Sequence, residues 1–404
     1  MRRPASFVEA GRFFSQQAPM GAGRFVMKEK EIAELRRRFR QDKSAITHVR
    51  GCYINENREI VGEFQQSLAL MSEEEGEKVL ALLRRTLTGG LGRNLLDIEF
   101  TTAQVADSEE HRLLMALRDD AGLEDQEVVE RFYQKAIASL ELEGSYLILL
   151  ARDRYDVPYR AKDGERQDDG SDEVFTYLVC AVCPVKLRKS ALGYDLSENA
   201  LHSWAAEWLV AAPEVGFLFP AFDQRSTNLY GALYYTKDCN KSQESFVDAV
   251  FRAPLPMPAD QQRETFQTIL ADVLEEEDDS FQVVQAVQEE LRERIEAYKE
   301  SREEEPLSVS RQQVNQILAS CGVSQTQVAA FDQQYEMAFG EETRITPQNL
   351  METKRLEISA PGIVIQVAPE ESDRVQTRII DGVKYILIRA DGDIQVNGVE
   401  IRIG

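Results

Sequence analysis

The chain has 404 residues, 43% apolar and 29% charged. That balance excludes a disordered or fibrous protein, and the length exceeds what one core usually organises, so two or three domains are expected. A net charge of -23 repels phosphate backbones on average and argues against simple coating of nucleic acid.

No apolar run approaches the roughly 20 residues needed to cross a bilayer, and no secretory signal pattern opens the chain. The five cysteines are scattered and odd in number, unlike a disulfide framework. A cytoplasmic protein without membrane contact is expected. Residues 1–26 carry Arg2, Arg3, Arg12 and Arg24 without an apolar period, and read as a disordered extension or a misassigned start ahead of Met27.

From Met27 a helix sets Ile32, Leu35 and Phe39 on one side and Arg36, Arg37, Arg38 and Arg40 on the other, the most basic stretch of the chain. A hairpin follows, with arms at 46–54 and 59–64 around the turn Asn55-Glu56-Asn57-Arg58. Ser72 and Glu75 form a capping box ahead of a helix with Val79, Leu83 and Leu87 at helical spacing. A short strand is predicted over 97–102. Ser108 then caps a helix holding Leu113, Leu114 and Leu117, and another helix over 127–140 repeats Val128, Phe132, Ala136 and Leu140 every four residues.

Short apolar runs bounded by Gly, Pro and Asp predict core strands at 146–151, 174–183, 208–211 and 216–219. The charged segment 160–172 reads as an exposed loop, and Asp223 reads as the cap of a helix with Arg225 in its first turn. Residues 27–255 are thus an α+β body, a sheet flanked by helices.

The Pro-rich run at 253–258 marks a boundary. Beyond it, residues 260–305 hold sixteen acids against five bases, and Val284, Val287, Leu291, Ile295 and Tyr298 form one apolar stripe of an acidic amphipathic helix. Residues 306–404 form a small C-terminal domain. Two helices at 310–320 and 324–339 flank Cys321-Gly322; the second holds no Lys or Arg and carries Asp332 and Glu336, unlike a DNA-recognition helix. Asp381-Gly382, Asp391-Gly392 and Asn397-Gly398 separate β-rich runs, which predicts an antiparallel meander.

Few patterns point to chemistry. Cys180 and Cys183 are spaced as in a dithiol or half a zinc site, but positions three apart on a strand face opposite sides. His48, His111 and His202 share no ligand spacing, and no Gly-x-Ser-x-Gly elbow is present. Thr88-Gly89-Gly90-Leu91-Gly92-Arg93-Asn94 lacks the Lys-Ser/Thr ending of a phosphate loop and reads as a helix C-cap. Asp168, Asp169, Asp172 and Glu173 lack EF-hand spacing. No catalytic, cofactor or metal residue is therefore nominated. Arg154, Tyr155 and Arg160 stand out, because they concentrate guanidinium and aromatic groups at the end of a core strand.

The segments Arg50-Gly-Cys-Tyr-Ile-Asn55, His111-Arg-Leu-Leu-Met-Ala-Leu-Arg118 and Tyr155-Asp-Val-Pro-Tyr-Arg160 resemble domain-of-unknown-function family 4317, uncharacterised proteins of clostridial Firmicutes. So do Gly216-Phe-Leu-Phe-Pro-Ala-Phe222 and Asp381-Gly-Val-Lys-Tyr-Ile-Leu-Ile388. The resemblance runs from Met27 to the C-terminus and brings no activity with it. More loosely, the order of elements is similar to that of the nucleoid-associated protein NdpA, which implies association with the nucleoid, directly or through partners.

Three functions follow as expectations. The first is a non-enzymatic binding protein associated with nucleoid DNA or a nucleoid protein, touching DNA through Arg36, Arg37 and Arg38. The second is an acidic adaptor that binds a protein partner through residues 260–305. The third is a nucleotide- or phosphate-binding enzyme with its site around Arg154, Tyr155 and Arg160.

Overall fold

The computed structural model describes residues 27–160, 166–167, 173–275, 280–301, 307–340, 343, 345–352, 354–390, 394–396 and 399–401. The chain divides between Ala259 and Asp260 into two units.

In the first unit, α1 (Glu29–Arg36) leads to a hairpin of β1 (His48–Ile54) and β2 (Ile60–Ser67), then α2 (Glu73–Arg84), β3 (Leu95–Glu99), α3 (Thr102–Asp107), α4 (Glu109–Asp119) and α5 (Gln126–Ser139). Next come β4 (Tyr146–Val157), the short pair β5 (Tyr159–Arg160) and β6 (Arg166–Gln167), and β7 (Glu173–Arg188). The unit ends with β8 (Ala191–Asp195), β9 (Ala200–Trp204), β10 (Glu207–Val210), β11 (Val215–Phe219), β12 (Ala221–Asp223), β13 (Ser226–Asn228), β14 (Gly231–Thr236) and α6 (Glu244–Phe251).

One antiparallel sheet runs in the order β2-β1-β4-β7-β11-β14-β3, with β10 on the far end of β7. Strand β7 is central because its run from Phe175 to Cys183 is apolar at every position but Thr176, as a strand covered on both faces requires. The side-chain period of two sends Leu178, Cys180 and Val182 into a core with α4, α5 and α6. The odd positions Tyr177, Val179, Ala181 and Cys183 enter the opposite core with α1 and α2. Cys180 and Cys183 therefore lie on opposite faces and cannot share a metal or a disulfide. Burial pushes the Cys183 thiol up to about 12 and holds the Cys180 thiol well above its ordinary value, so neither is a thiolate at neutral pH.

Several expectations shift. Ser72 and Ser108 cap α2 and α4 as predicted, but Thr101 and Gln104 form a further capping box that opens α3 where the strand was expected to end. Strand β4 continues past Ala151 to Val157, pairing residue by residue with β7. No helix follows Asp223. Asp223 and Ser226 instead pair across a two-residue β-turn in which Gln224 (φ 50°) and Arg225 (φ 62°) are both left-handed, the backbone that a tight hairpin needs. The β8–β9 hairpin was not predicted either.

The second unit opens with α7 (Ala259–Val273) and α8 (Ser280–Ser301), followed by α9 (Arg311–Ser320) and α10 (Gln325–Phe339). The acidic segment is thus two helices, and its apolar stripe is buried at home. Val287 and Leu291 share one core with Phe266, Leu318, Phe331 and Tyr335. Arg311 on α9 pairs with Asp332 at 3.3 Å and with Glu336, so the acids of α10 brace the helix pair. Hairpins β15 (Leu356–Ala360)/β16 (Ile363–Val367), β17 (Val375–Ile380)/β18 (Val383–Ile388) and β19 (Ile394–Val396)/β20 (Val399–Ile401) form the C-terminal meander. The fold is α+β. No described helix is long and apolar enough to cross a membrane.

Candidate functional site

Two of the residues nominated from sequence, Arg38 and Tyr155, meet at the junction of α1 with β4. Position 153 shares its strand face with the buried Leu149, Ala151, Tyr155 and Val157, so the period of two turns Asp153 toward the α1–α2 layer. Asp153 is 1% exposed. A carboxylate so deep is costly unless it is paired and fully hydrogen-bonded.

Arg38, just beyond the end of α1, supplies the charge. Its Nη2 donates to both Asp153 oxygens at 3.2 Å and to the Arg154 carbonyl at 3.1 Å, and its Nε reaches Oδ2 at 3.3 Å. The guanidinium lies 4.6 Å from the centre of the Tyr155 ring, a cation–π contact. The Tyr177 hydroxyl donates to Asp153 at 2.7 Å, and the Ala45 and Arg154 backbone N–H groups donate at 2.8 and 2.9 Å. The carboxylate is saturated with donors.

A second layer extends the network. The Tyr155 hydroxyl donates to Glu34 at 2.6 Å, and Arg225 donates to both oxygens of Glu34 at 3.2 and 2.9 Å. The left-handed turn that holds Arg225 also aims its backbone N–H at Glu31, 3.3 Å away. Glu31 in turn accepts the Lys28 N–H at 2.7 Å and closes the start of α1.

The titration of these groups follows from burial. Desolvation, reinforced by the Glu34 hydrogen bond, pushes the Tyr155 phenol up to about 12; desolvation and the Asp153 charge hold Tyr177 well above the usual 10. Both phenols remain donors through the neutral range. A folded pKa above the unfolded one means that this contribution to stability is complete below pH 10 and is lost as pH rises toward 12. Urea midpoints measured from pH 8 to 12 are expected to fall from about pH 10 upward, and less steeply in Tyr155→Phe. A flat profile would contradict the network.

The other nominated residues are elsewhere. Arg36 donates to the carbonyls of Leu87 and Gly89, and burial lowers its pKa. It thereby braces the Gly-rich segment, whose Asn94 amide is tied to the Thr236 and Lys237 carbonyls at 3.1 Å. Arg37 is exposed. The Arg154 side chain turns to the opposite face and pairs with Asp156 at 3.7 Å, while the Arg160 side chain lies outside the described residues. Asp168, Asp169 and Asp172 also lie outside them.

Sequence reasoning missed Asp153, Glu34, Tyr177 and Arg225. The available signal was the parity of Asp153 and Tyr155 with the apolar positions just before them. His111 is structural as well: its Nε2 meets the Leu229 carbonyl at 2.9 Å, between the rings of Phe100 and Phe219. Among the described residues no group of His, Cys, Asp and Glu is placed to hold a metal ion.

The two-unit α+β architecture, with a saturated ionic clamp rather than an open reactive group at its nominated centre, defines a class by form rather than by chemistry. The chain belongs to the family described as domain of unknown function DUF4317, whose model matches residues 27–399. No curated protein matches it.

Proposed function

We propose that this protein is a non-enzymatic binding protein of the cytoplasm that works by holding other proteins. The observation that carries this reading is the C-terminal meander. Its hairpins are two-stranded sheets, a size that is marginal alone in water. They nevertheless expose β-branched side chains: Ile379 and Ile380, neighbours on opposite faces of β17, are 69% and 44% exposed, and Val383, Ile388 and Val399 are 53–65% exposed. Open strand edges beside apolar faces suit strand addition by a protein partner.

Two other surfaces support the reading less. The stripe of the acidic segment is spent on its own core, and Arg36 and Arg38 are engaged by carbonyls and by Asp153. Free cysteines at all five positions agree with a reducing compartment.

The test is affinity recovery of the full chain from its native cytoplasm, with and without nuclease, beside an Ile379→Asp/Ile386→Asp variant. The expected result is a stoichiometric, nuclease-resistant protein partner that the variant loses. Nuclease-sensitive recovery of DNA, unchanged in the variant, would return the function to nucleic acid.

A further inference from the structure

The fold brings together two stretches that hold cations and no acid. Residues 35–41 carry four arginines, and residues 78–96 carry Lys78, Arg84, Arg85 and Arg93, in a chain with 70 acids against 47 bases. Arg36 joins the two stretches by donating to the Leu87 and Gly89 carbonyls. The far end of the first stretch meets the start of α2, where the Gln41 amide donates to the Glu73 carbonyl at 3.0 Å. Residues 36–41 therefore lie along α2.

Four arginines cluster about the Arg36 contact. Arg37 is the next residue, Arg84 and Arg85 stand within one helical turn of Leu87, and Arg93 comes four residues after Gly89. Arg37, Arg84 and Arg85 are exposed and Arg93 is half-buried. The other cations of the two stretches are spent, Arg38 on Asp153, Arg40 on Asp42 and Lys78 on Glu74, whereas none of these four forms an ion pair among the described residues. The ends of α1 and α2 both lie here, and helix C-termini favour cations. Arg36 meets that need with its two carbonyl contacts; the side chains of the other four donate to no described group. Glu29 lies near Arg36, and Glu214 pairs with Lys237 at 2.6 Å, near Arg85 at the Tyr235 phenol, so neither acid neutralises the cluster.

Chemistry selects the occupant. Guanidinium forks grip phosphate oxygens two at a time. A membrane surface asks for apolar side chains among the cations, and no large apolar side chain described in residues 27–41 or 78–96 is exposed. Single-stranded nucleic acid asks for exposed rings on which bases stack, and the aromatic ring in these stretches, Phe39, is 2% exposed. The backbone of a duplex asks for neither, only for clustered cations. The net charge of -23 repels that backbone elsewhere and confines contact to this face.

We propose that Arg37, Arg84, Arg85 and Arg93 form a phosphate-binding patch that docks this protein on duplex nucleic acid irrespective of base sequence. The patch belongs to the first unit, and the proposal stands or falls without the protein-binding reading of the C-terminal hairpins.

The experiment is fluorescence anisotropy of a short labelled DNA duplex titrated with the full chain over a range of salt. Four phosphate contacts give a slope of roughly -3.6 in log K against log salt, so affinity is expected to fall about a hundredfold from about 50 to 200 mM salt. Arg84→Ala/Arg85→Ala is expected to bring the slope to about -1.8 and to weaken binding at least about tenfold at the low end. Arg84→Lys/Arg85→Lys keeps both charges and is expected to keep the slope, which separates lost charge from lost folding. Arg378→Ala, which removes an exposed arginine from the C-terminal hairpins, is expected to change neither slope nor affinity.

Absence of binding up to about 100 μM protein at low salt, a slope that survives the alanine pair, or an equal loss in the lysine pair would each overturn the proposal. Tighter binding to vesicles of phosphatidylserine and phosphatidylcholine than to the duplex would also overturn it, and would give the patch to a membrane surface.

Discussion

Replacing Asp153 by Ala is expected to cost the first unit about 3–5 kcal/mol, the range for removing one partner of a buried ion pair. The substitution strands more than Arg38. The Tyr177 hydroxyl, on a fully buried side chain, loses its acceptor, and so does the Ala45 N–H. For a unit of this size the midpoint of thermal unfolding should fall by roughly 10 °C. Asp153→Asn keeps one acceptor oxygen, enough for the Ala45 N–H or for the Tyr177 hydroxyl but not for both, because they donate to different oxygens and the amide NH2 takes the place of one; a smaller loss of about 1–3 kcal/mol is expected. Urea unfolding followed by far-ultraviolet circular dichroism separates the two, because both tryptophans, Trp204 and Trp208, lie on β9 and β10 rather than at this site. A loss below about 0.5 kcal/mol for Asp153→Ala would mean that the network is an ordinary surface contact.

That expectation also explains what the sequence could and could not disclose. The helices over 73–84, 109–119, 126–139, 311–320 and 325–339 were legible because local signals coincide there: a side-chain cap, then an apolar period. The first hairpin and the apolar part of β7 were legible for the same reason. The outer half of β4 was not, because Arg152, Asp153, Arg154 and Asp156 do not look like core. Their positions follow from pairing with β7, a contact between segments some twenty residues apart. Arg225 was misread because a turn of two left-handed non-glycine residues has no strong local mark, and Asp-Gln-Arg-Ser resembles a helix start.

The arginines of 36–40 illustrate the limit for function. Composition announces a basic surface, but charge can be spent inside the fold. Arg38 is claimed by an aspartate 115 positions away. Sequence distance hides such partners, so a cluster of cations read as a nucleic-acid surface was also half of an internal clamp.

The second large effect is expected at Gly216, and its cause is space rather than conformation. A Cβ built there would lie 2.5 Å from the Cys180 carbonyl oxygen and 2.6 Å from the Thr86 Cγ2. Strand β11 pairs with β7 on one side and β14 on the other, so it cannot slide away from that carbonyl. Thr86 cannot yield either: it is fully buried and its hydroxyl donates to the Leu83 carbonyl at 2.8 Å. Gly216→Ala is therefore expected to destabilise by about 3 kcal/mol, the upper part of the usual range for overpacking. Gly62→Ala is the control, since nothing lies within 4 Å of a Cβ on that edge strand and the change should stay within about 0.5 kcal/mol. Adding Thr86→Ser to Gly216→Ala removes the clashing methyl but not the carbonyl, so a double-mutant cycle should return part of the loss and not all of it. Full recovery would place the whole clash on Thr86 and leave β7 free to move. No recovery would place it on the Cys180 backbone, making the spacing of β7 and β11 the reason that a glycine stands at 216.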